Sequence, residues 1–183
     1  MRGELKRLQQ ELGTTTVYVT HDQAEAMTLG HRVAVLDQGK LQQFDTPLEI
    51  YNHPLNRFVA EFVGSPSMNF IDGEIDSHAR TFRTSRFTMA LTEAEVRITG
   101  AATLGIRPEH IDISTTQSDG WWPATVYVTE LMGSETFVIT DLDNQRIVAR
   151  ADANFSAEIG TTVWLNFDML RAHWFDAETG VRV

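Results

Sequence analysis

The chain has 183 residues, 42% of them apolar and 22% charged, with 15 basic against 25 acidic side chains and a net charge of −10. That length holds one medium domain or two small ones, and the composition is that of a globular protein, not a disordered one. Cysteine is absent, which excludes disulfides, thiolate metal sites and cysteine nucleophiles. The acidic balance opposes a surface that tracks phosphate backbones, so no nucleic-acid partner is expected.

No apolar run approaches the ~18 residues that a membrane-spanning helix needs. Met1-Arg2-Gly3-Glu4-Leu5-Lys6 lacks the apolar core of a signal peptide. A cytoplasmic protein is the expectation.

The first element is a helix. Met1, Leu5, Leu8 and Leu12 form one apolar stripe, Arg7 and Glu11 sit four apart, and Gly13 can end the run. Thr14-Thr15-Thr16-Val17-Tyr18-Val19-Thr20 predicts a strand by propensity. Thr20 with Gln23, or Asp22 with Glu25, has capping-box spacing, which starts a short helix that reaches Leu29 and stops at Gly30. Arg32-Val33-Ala34-Val35-Leu36 predicts a second, buried strand. Asp37-Gln38-Gly39-Lys40 then turns the chain into Leu41-Gln42-Gln43-Phe44. Two helical stretches follow Pro47, over residues 47–52 and 54–63. Alternating helix and strand signals predict an α/β unit with a parallel sheet.

Gly64-Ser65-Pro66-Ser67 reads as a hinge. It divides the chain into units 1–63 and 64–183. Beyond it there are nine arginines, no lysine and 17 acidic residues. Thr125-Val126-Tyr127-Val128-Thr129 and Thr136-Phe137-Val138-Ile139-Thr140 predict strands, and Asp143-Asn144 a hairpin tip between Ile139 and Ile147. Val163, Leu165 and Phe167 alternate with polar or interfacial neighbours, the period of a half-buried strand. The second unit is therefore predicted to be a small all-β barrel of the oligonucleotide/oligosaccharide-binding (OB) type.

His21 is the residue with the most chemical promise. It follows a predicted strand and precedes a helix, the place where α/β sheets bind ligands and where free helix N–H groups suit phosphate. An imidazole there can hydrogen-bond a phosphate oxygen or a polarised water. On position alone, a solvated loop histidine is the simpler reading. Asp22 and Glu25 are read as shaping the helix start, since a carboxylate at that point would repel phosphate.

Tyr18-Val19-Thr20-His21-Asp22-Gln23-Ala24-Glu25-Ala26-Met27-Thr28-Leu29 closely resembles the switch-histidine segment of ABC transporter ATPases, in particular the importers for maltose, other oligosaccharides and glycerol-3-phosphate. Four further strings are similar to that family's later parts. They are Val35 through Gln43, Pro47-Leu48-Glu49-Ile50-Tyr51, Pro54 with Arg57-Phe58-Val59-Ala60, and Gly64-Ser65-Pro66-Ser67-Met68-Asn69-Phe70. Leu104-Gly105-Ile106-Arg107-Pro108-Glu109-His110 and Phe175 through Gly180 resemble its C-terminal regulatory (TOBE-type) barrel.

The resemblance implies that His21 touches the γ-phosphate of ATP in an intact subunit and helps to position the attacking water. It implies ATP and Mg²⁺ as the intact subunit's ligands, a second copy and membrane subunits as partners, and a peripheral place at the inner face of the cell membrane. It also puts Trp174 and Phe175 at a contact between two copies; the plainer reading is that Phe175 closes the barrel core.

The phosphate-binding loop of that family, G-x-x-x-x-G-K-[ST], has no match in this sequence. Only Lys6 and Lys40 are available, and Leu41 and Ala34 break the pattern around Lys40. The Ser-Gly-Gly-Gln signature is missing too. Val33-Ala34-Val35-Leu36-Asp37-Gln38 mimics a strand that ends in a magnesium-binding Asp, but Gln38 stands where the catalytic Glu belongs, so Asp37 is read as a turn residue and no metal site is expected.

The expectation is a C-terminal portion of an ATP-hydrolysing subunit, without ATP bound to this chain alone and with its first unit open to rearrangement or self-association. A stand-alone regulatory or binding module is the alternative; in-frame motifs in the DNA upstream of Met1 separate the two. In the second unit, Trp121-Trp122-Pro123 is read as packing before carbohydrate binding, and Arg107-Pro108-Glu109 as a rigid strand exit before an anion clamp.

Overall fold

The computed structural model describes residues 2–85, 87–93, 96 and 98–183, and divides into two compact units, Met1–Ser65 and Pro66–Val183. The first begins with helix α1 (Arg2–Leu12). Gly13 ends it at φ 59, donating its N–H to the Gln9 carbonyl. Leu5, Leu8 and Leu12 of its apolar stripe are exposed, and Met1 lies outside the described residues.

Residues 14–20 do not form the predicted strand. They run without regular structure, with Val17 87% and Val19 90% exposed. The physical reason is the lack of a neighbour: β-propensity gives a strand only where another strand takes up its N–H and C=O groups.

Helix α2 (Gln23–Leu29) follows, then strands β1 (Val33–Asp37) and β2 (Lys40–Asp45). The sheet here is an antiparallel two-stranded ribbon, not the parallel sheet that the helix–strand alternation predicts. Gln38 and Gly39 both have positive φ, 45° and 79°, and close the Asp37↔Lys40 pair in two residues. Such a turn matches the twist of an antiparallel hairpin, so the local partner wins.

Helices α3 (Pro47–Asn52) and α4 (Arg57–Phe62) complete the unit. Thr46 and Asn56 cap them by accepting from the N–H of Glu49 and Val59. The core is small: Val35, Ile50, Val59 and Val63, with Met27, Val33, Tyr51 and Phe58 packed against them. Buried Gln43 ties β2 to the α3–α4 connection, donating to the His53 carbonyl (3.1 Å) and accepting from the Leu55 N–H (2.9 Å).

The described residues of the second unit form ten strands: β3 (Asn69–Asp76), β4 (Thr81–Arg83), β5 (Thr88–Ala90), β6 (Gly100–Ile106), β7 (Ile111–Ser114), β8 (Trp122–Leu131), β9 (Glu135–Leu142), β10 (Gln145–Asp152), β11 (Thr162–Phe167) and β12 (His173–Asp176). They form two antiparallel five-stranded sheets, in the orders β10-β9-β8-β11-β7 and β12-β6-β3-β4-β5. In the first sheet the outer strands β10 and β7 approach each other, curling it into a nearly closed barrel. Asp143 and Asn144, at φ 54 and 61, make the predicted tip between β9 and β10.

One core serves both sheets, with Ile71, Phe82 and Leu104 from one and Val126, Ile147 and Leu165 from the other. Val163, Leu165 and Phe167 point into it, as their alternation predicts.

Asn69 joins the two sheets. Its backbone sits opposite Ile106 in the β3–β6 ladder, and its buried side chain reaches β10. Oδ1 accepts from the Val148 N–H at 2.7 Å, while Nδ2 donates to the carbonyls of Val148 (2.9 Å) and Ile106 (3.2 Å). The side-chain amide thus stands in for a strand at a junction between sheets.

A 3-10 turn, Pro108–His110, carries β6 into β7. His110 Nδ1 is buried there with no hydrogen-bond partner among the described residues. Burial lowers its pKa below the ordinary 6.5; Arg171 and Arg107 act in the same direction, and Glu109 and Asp168 oppose them.

Two outcomes follow from these contacts. Asn69→Ala leaves Val148 N–H and two carbonyls without their partner, and chemical denaturation should show a loss of about 3 kcal/mol or more. His110 is neutral in the fold, so the unfolded chain takes up its proton first as pH falls. Its contribution is therefore complete above pH 6.5 and declines below it toward the lowered native value. As pH is lowered below 6.5, the melting temperature should fall less steeply in His110→Gln than in the parent chain.

Candidate functional site

His21 lies in a loop whose flanking residues are all tied down. Asp22 is the N-cap of α2 and accepts from the Glu25 N–H at 3.1 Å. The Thr20 hydroxyl accepts from the Asp22 N–H at 3.0 Å and donates to the Glu25 carboxylate at 2.7 Å. The Tyr18 hydroxyl donates to the same carboxylate oxygen at 3.2 Å. In a full capping box Glu25 would reach back to the Asp22 N–H; here Thr20 takes that N–H, and Glu25 anchors the incoming chain.

The imidazole of His21 itself is exposed. A neutral or protonated imidazole held this way can offer a hydrogen bond to an anionic oxygen or a water in front of it.

Two further contacts hold α2 in its unit. The Gln23 carboxamide oxygen accepts from the Gly64 N–H at 3.0 Å, across 41 residues of sequence. Lys6 of α1 donates to the Thr28 carbonyl at 2.9 Å, placing a positive charge at the carbonyl end of α2.

Trp174 and Phe175, which the resemblance puts at a contact between two copies, are buried within this chain. Phe175 is fully buried and Trp174 is 6% exposed. Trp174 packs edge-on against Phe82, with centroids 5.0 Å apart, and Phe175 does so against Phe70 at 5.8 Å. Gly105 makes room for Phe175: a Cβ there would stand 2.6 Å from its ring and 2.7 Å from Met68 Sδ.

Arg107 is 1% exposed and closed off from bulk anions, at the strand exit before Pro108. Trp122 packs on Phe87 with ring centroids 4.6 Å apart, and so contributes to the core and not to an open sugar platform. Asp37 closes the β1–β2 turn.

Sequence reasoning missed three residues. Asn69 looked like an ordinary polar residue in Met68-Asn69-Phe70-Ile71, although an Asn between apolar neighbours at a strand start is a cue for a buried partner. The reach of Gln23 to Gly64 and of Glu25 to Thr20 has no local signal, because both depend on how distant or non-helical backbone is folded.

Comparison with known proteins bears on the whole chain. The MalK OB fold domain family matches residues 64–111 and the TOBE domain family matches residues 104–175. The sn-glycerol-3-phosphate import ATP-binding protein UgpC of Salmonella typhimurium is 42% identical over 187 residues, covering 100% of this chain and 52% of that protein. The oligosaccharides import ATP-binding protein MsmX of Bacillus subtilis is 38% identical over 192 residues, covering 100% and 53%. An uncharacterized ABC transporter ATP-binding protein of Escherichia coli, YcjV, is 38% identical over 188 residues, covering 100% and 52%. The chain is homologous throughout to the C-terminal half of ABC import ATP-binding subunits.

Its second unit is the TOBE and MalK-type OB region of that family, as the sequence resemblance implies. The chain spans about half the length of the relatives it matches. Among the described residues, no helix is long and apolar enough to cross a membrane.

The loop geometry yields its own expectation. Asp22→Ala removes the cap and should cost about 1 kcal/mol. Circular dichroism and amide exchange should show the loss as fraying of α2, with faster exchange at Glu25 than in the parent chain.

Proposed function

We propose that this chain supplies the switch-histidine segment and the regulatory OB unit of an ABC importer's ATP-hydrolysing subunit, for a sugar or related solute. In the intact subunit His21 contacts the terminal phosphate of ATP and helps to orient the attacking water, while residues 64–183 act in regulation and in contact with a second copy. The carrying observation is the presentation of His21: an exposed imidazole framed by Thr20, Asp22 and Glu25, in a chain similar along its full length to import ATP-binding proteins.

The residues here fit one end of a nucleotide only. The phosphate loop, the Mg²⁺ ligands and the catalytic carboxylate have no counterpart in this sequence. We therefore expect no micromolar ATP binding and no turnover by the 183-residue chain itself. Phosphoryl transfer depends on positioning and charge stabilisation, and a single imidazole at the edge of the triphosphate provides neither without the other parts. The proposed partners are a second copy and membrane subunits at the inner face of the membrane. Contact between copies is assigned to surface outside Trp174 and Phe175.

A chimaera tests this reading. The chain is joined behind the N-terminal half of the glycerol-3-phosphate import ATP-binding relative, and ATP hydrolysis is measured. Hydrolysis should appear, and His21→Ala should reduce it about 100-fold with ATP affinity retained. Hydrolysis unaffected by His21→Ala would remove the proposed role of the imidazole.

A further inference from the structure

Gln23, two residues from His21, ties α2 to the end of the first unit: its side-chain oxygen accepts from the N–H of Gly64, one residue before the unit ends at Ser65. Its setting is informative. Helix α4 is closed by Val63, whose N–H bonds to Val59, so the Gly64 N–H lies beyond the helix ladder and needs another acceptor. Gly64 has φ 127, in the region that favours glycine, so the chain leaves α4 in a direction set by that one residue. Val63 beside it is buried in the small core of the unit, together with Met27 of α2.

The carboxamide of Gln23 is thus fixed at one end to the first turn of α2 and at the other to the peptide that leads into the OB unit. Asp22, between His21 and Gln23, is held in turn by Thr20 and caps α2.

We propose that Gln23 is a positioning residue that couples the linker into the OB unit to the placement of His21. The proposal rests on the nucleotide role proposed for His21 and adds its regulation: whatever reorients the linker moves the imidazole, and, by linkage, whatever fixes the imidazole biases the linker. A Gln suits the task because its neutral amide accepts the N–H without placing another negative charge beside a phosphate site.

The test uses the full 183-residue chain and no nucleotide, so its outcome is separate from that of the chimaera. Amide hydrogen exchange is read at Gly64 and ring proton resonances at His21, at pH 8, for the parent, Gln23→Met and Gln23→Glu. Gln23→Met keeps the length and loses the acceptor; exchange at Gly64 should rise about tenfold or more and the His21 ring resonances should shift. Gln23→Glu keeps the acceptor and should preserve both. In reverse, Gly64→Ala strains the linker and should move the His21 resonances while amides of β8 and β9 keep their protection. This arm decides the matter if Gln23→Met unfolds the first unit. Unchanged exchange at Gly64 in Gln23→Met, or His21 resonances that stay fixed in both Gln23→Met and Gly64→Ala, would overturn the proposal.

Discussion

The second unit depends on a single amide. Two five-stranded sheets share one apolar core, yet apolar packing is non-directional and does not by itself choose how the sheets meet. Asn69 makes that choice. Its side chain pairs with both polar groups of Val148 and with the carbonyl of Ile106, three backbone groups that are fixed in space by their own ladders. An apolar residue at this point would leave those groups buried and unpaired, which costs more than the packing gained. The register of β3 against β6 and the approach of β10 follow from this one constraint.

The two units contrast in how they are completed. The OB unit is held by one large apolar core, and even Trp174 and Phe175 turn inward against Phe82, Phe70 and the bare backbone of Gly105. The first unit packs around a small cluster of buried Val35, Ile50, Val59 and Val63, and relies on side-chain bridges, from Gln43, Gln23 and Lys6, to hold its elements. Bridges of this kind are individually modest, so this unit is held by connections more than by burial.

Much of this was legible in the sequence. The helix ends at Gly13 and Gly30, the turns at residues 38–39 and 143–144, and the alternation of Val163, Leu165 and Phe167 are local features, and local features survive translation into structure. The His21 segment was legible for the same reason: its capping chemistry is contained within six residues. What failed was anything that needed a partner. The strand propensity of residues 14–20 was real but had no neighbour to satisfy it, and Arg32 through Leu36 found its partner across a two-residue turn instead of in a parallel sheet. For Trp174 and Phe175 the burial was legible only as an alternative, because an aromatic pair near a chain end looks alike whether it faces a core or a second molecule.

The extended run at residues 14–20 has one more consequence. It contains three threonines, then Val17, Tyr18, Val19 and Thr20, with no proline, no glycine and no charge, and the folded protein leaves its valines in water. That is the composition of a segment able to stack into cross-β fibrils.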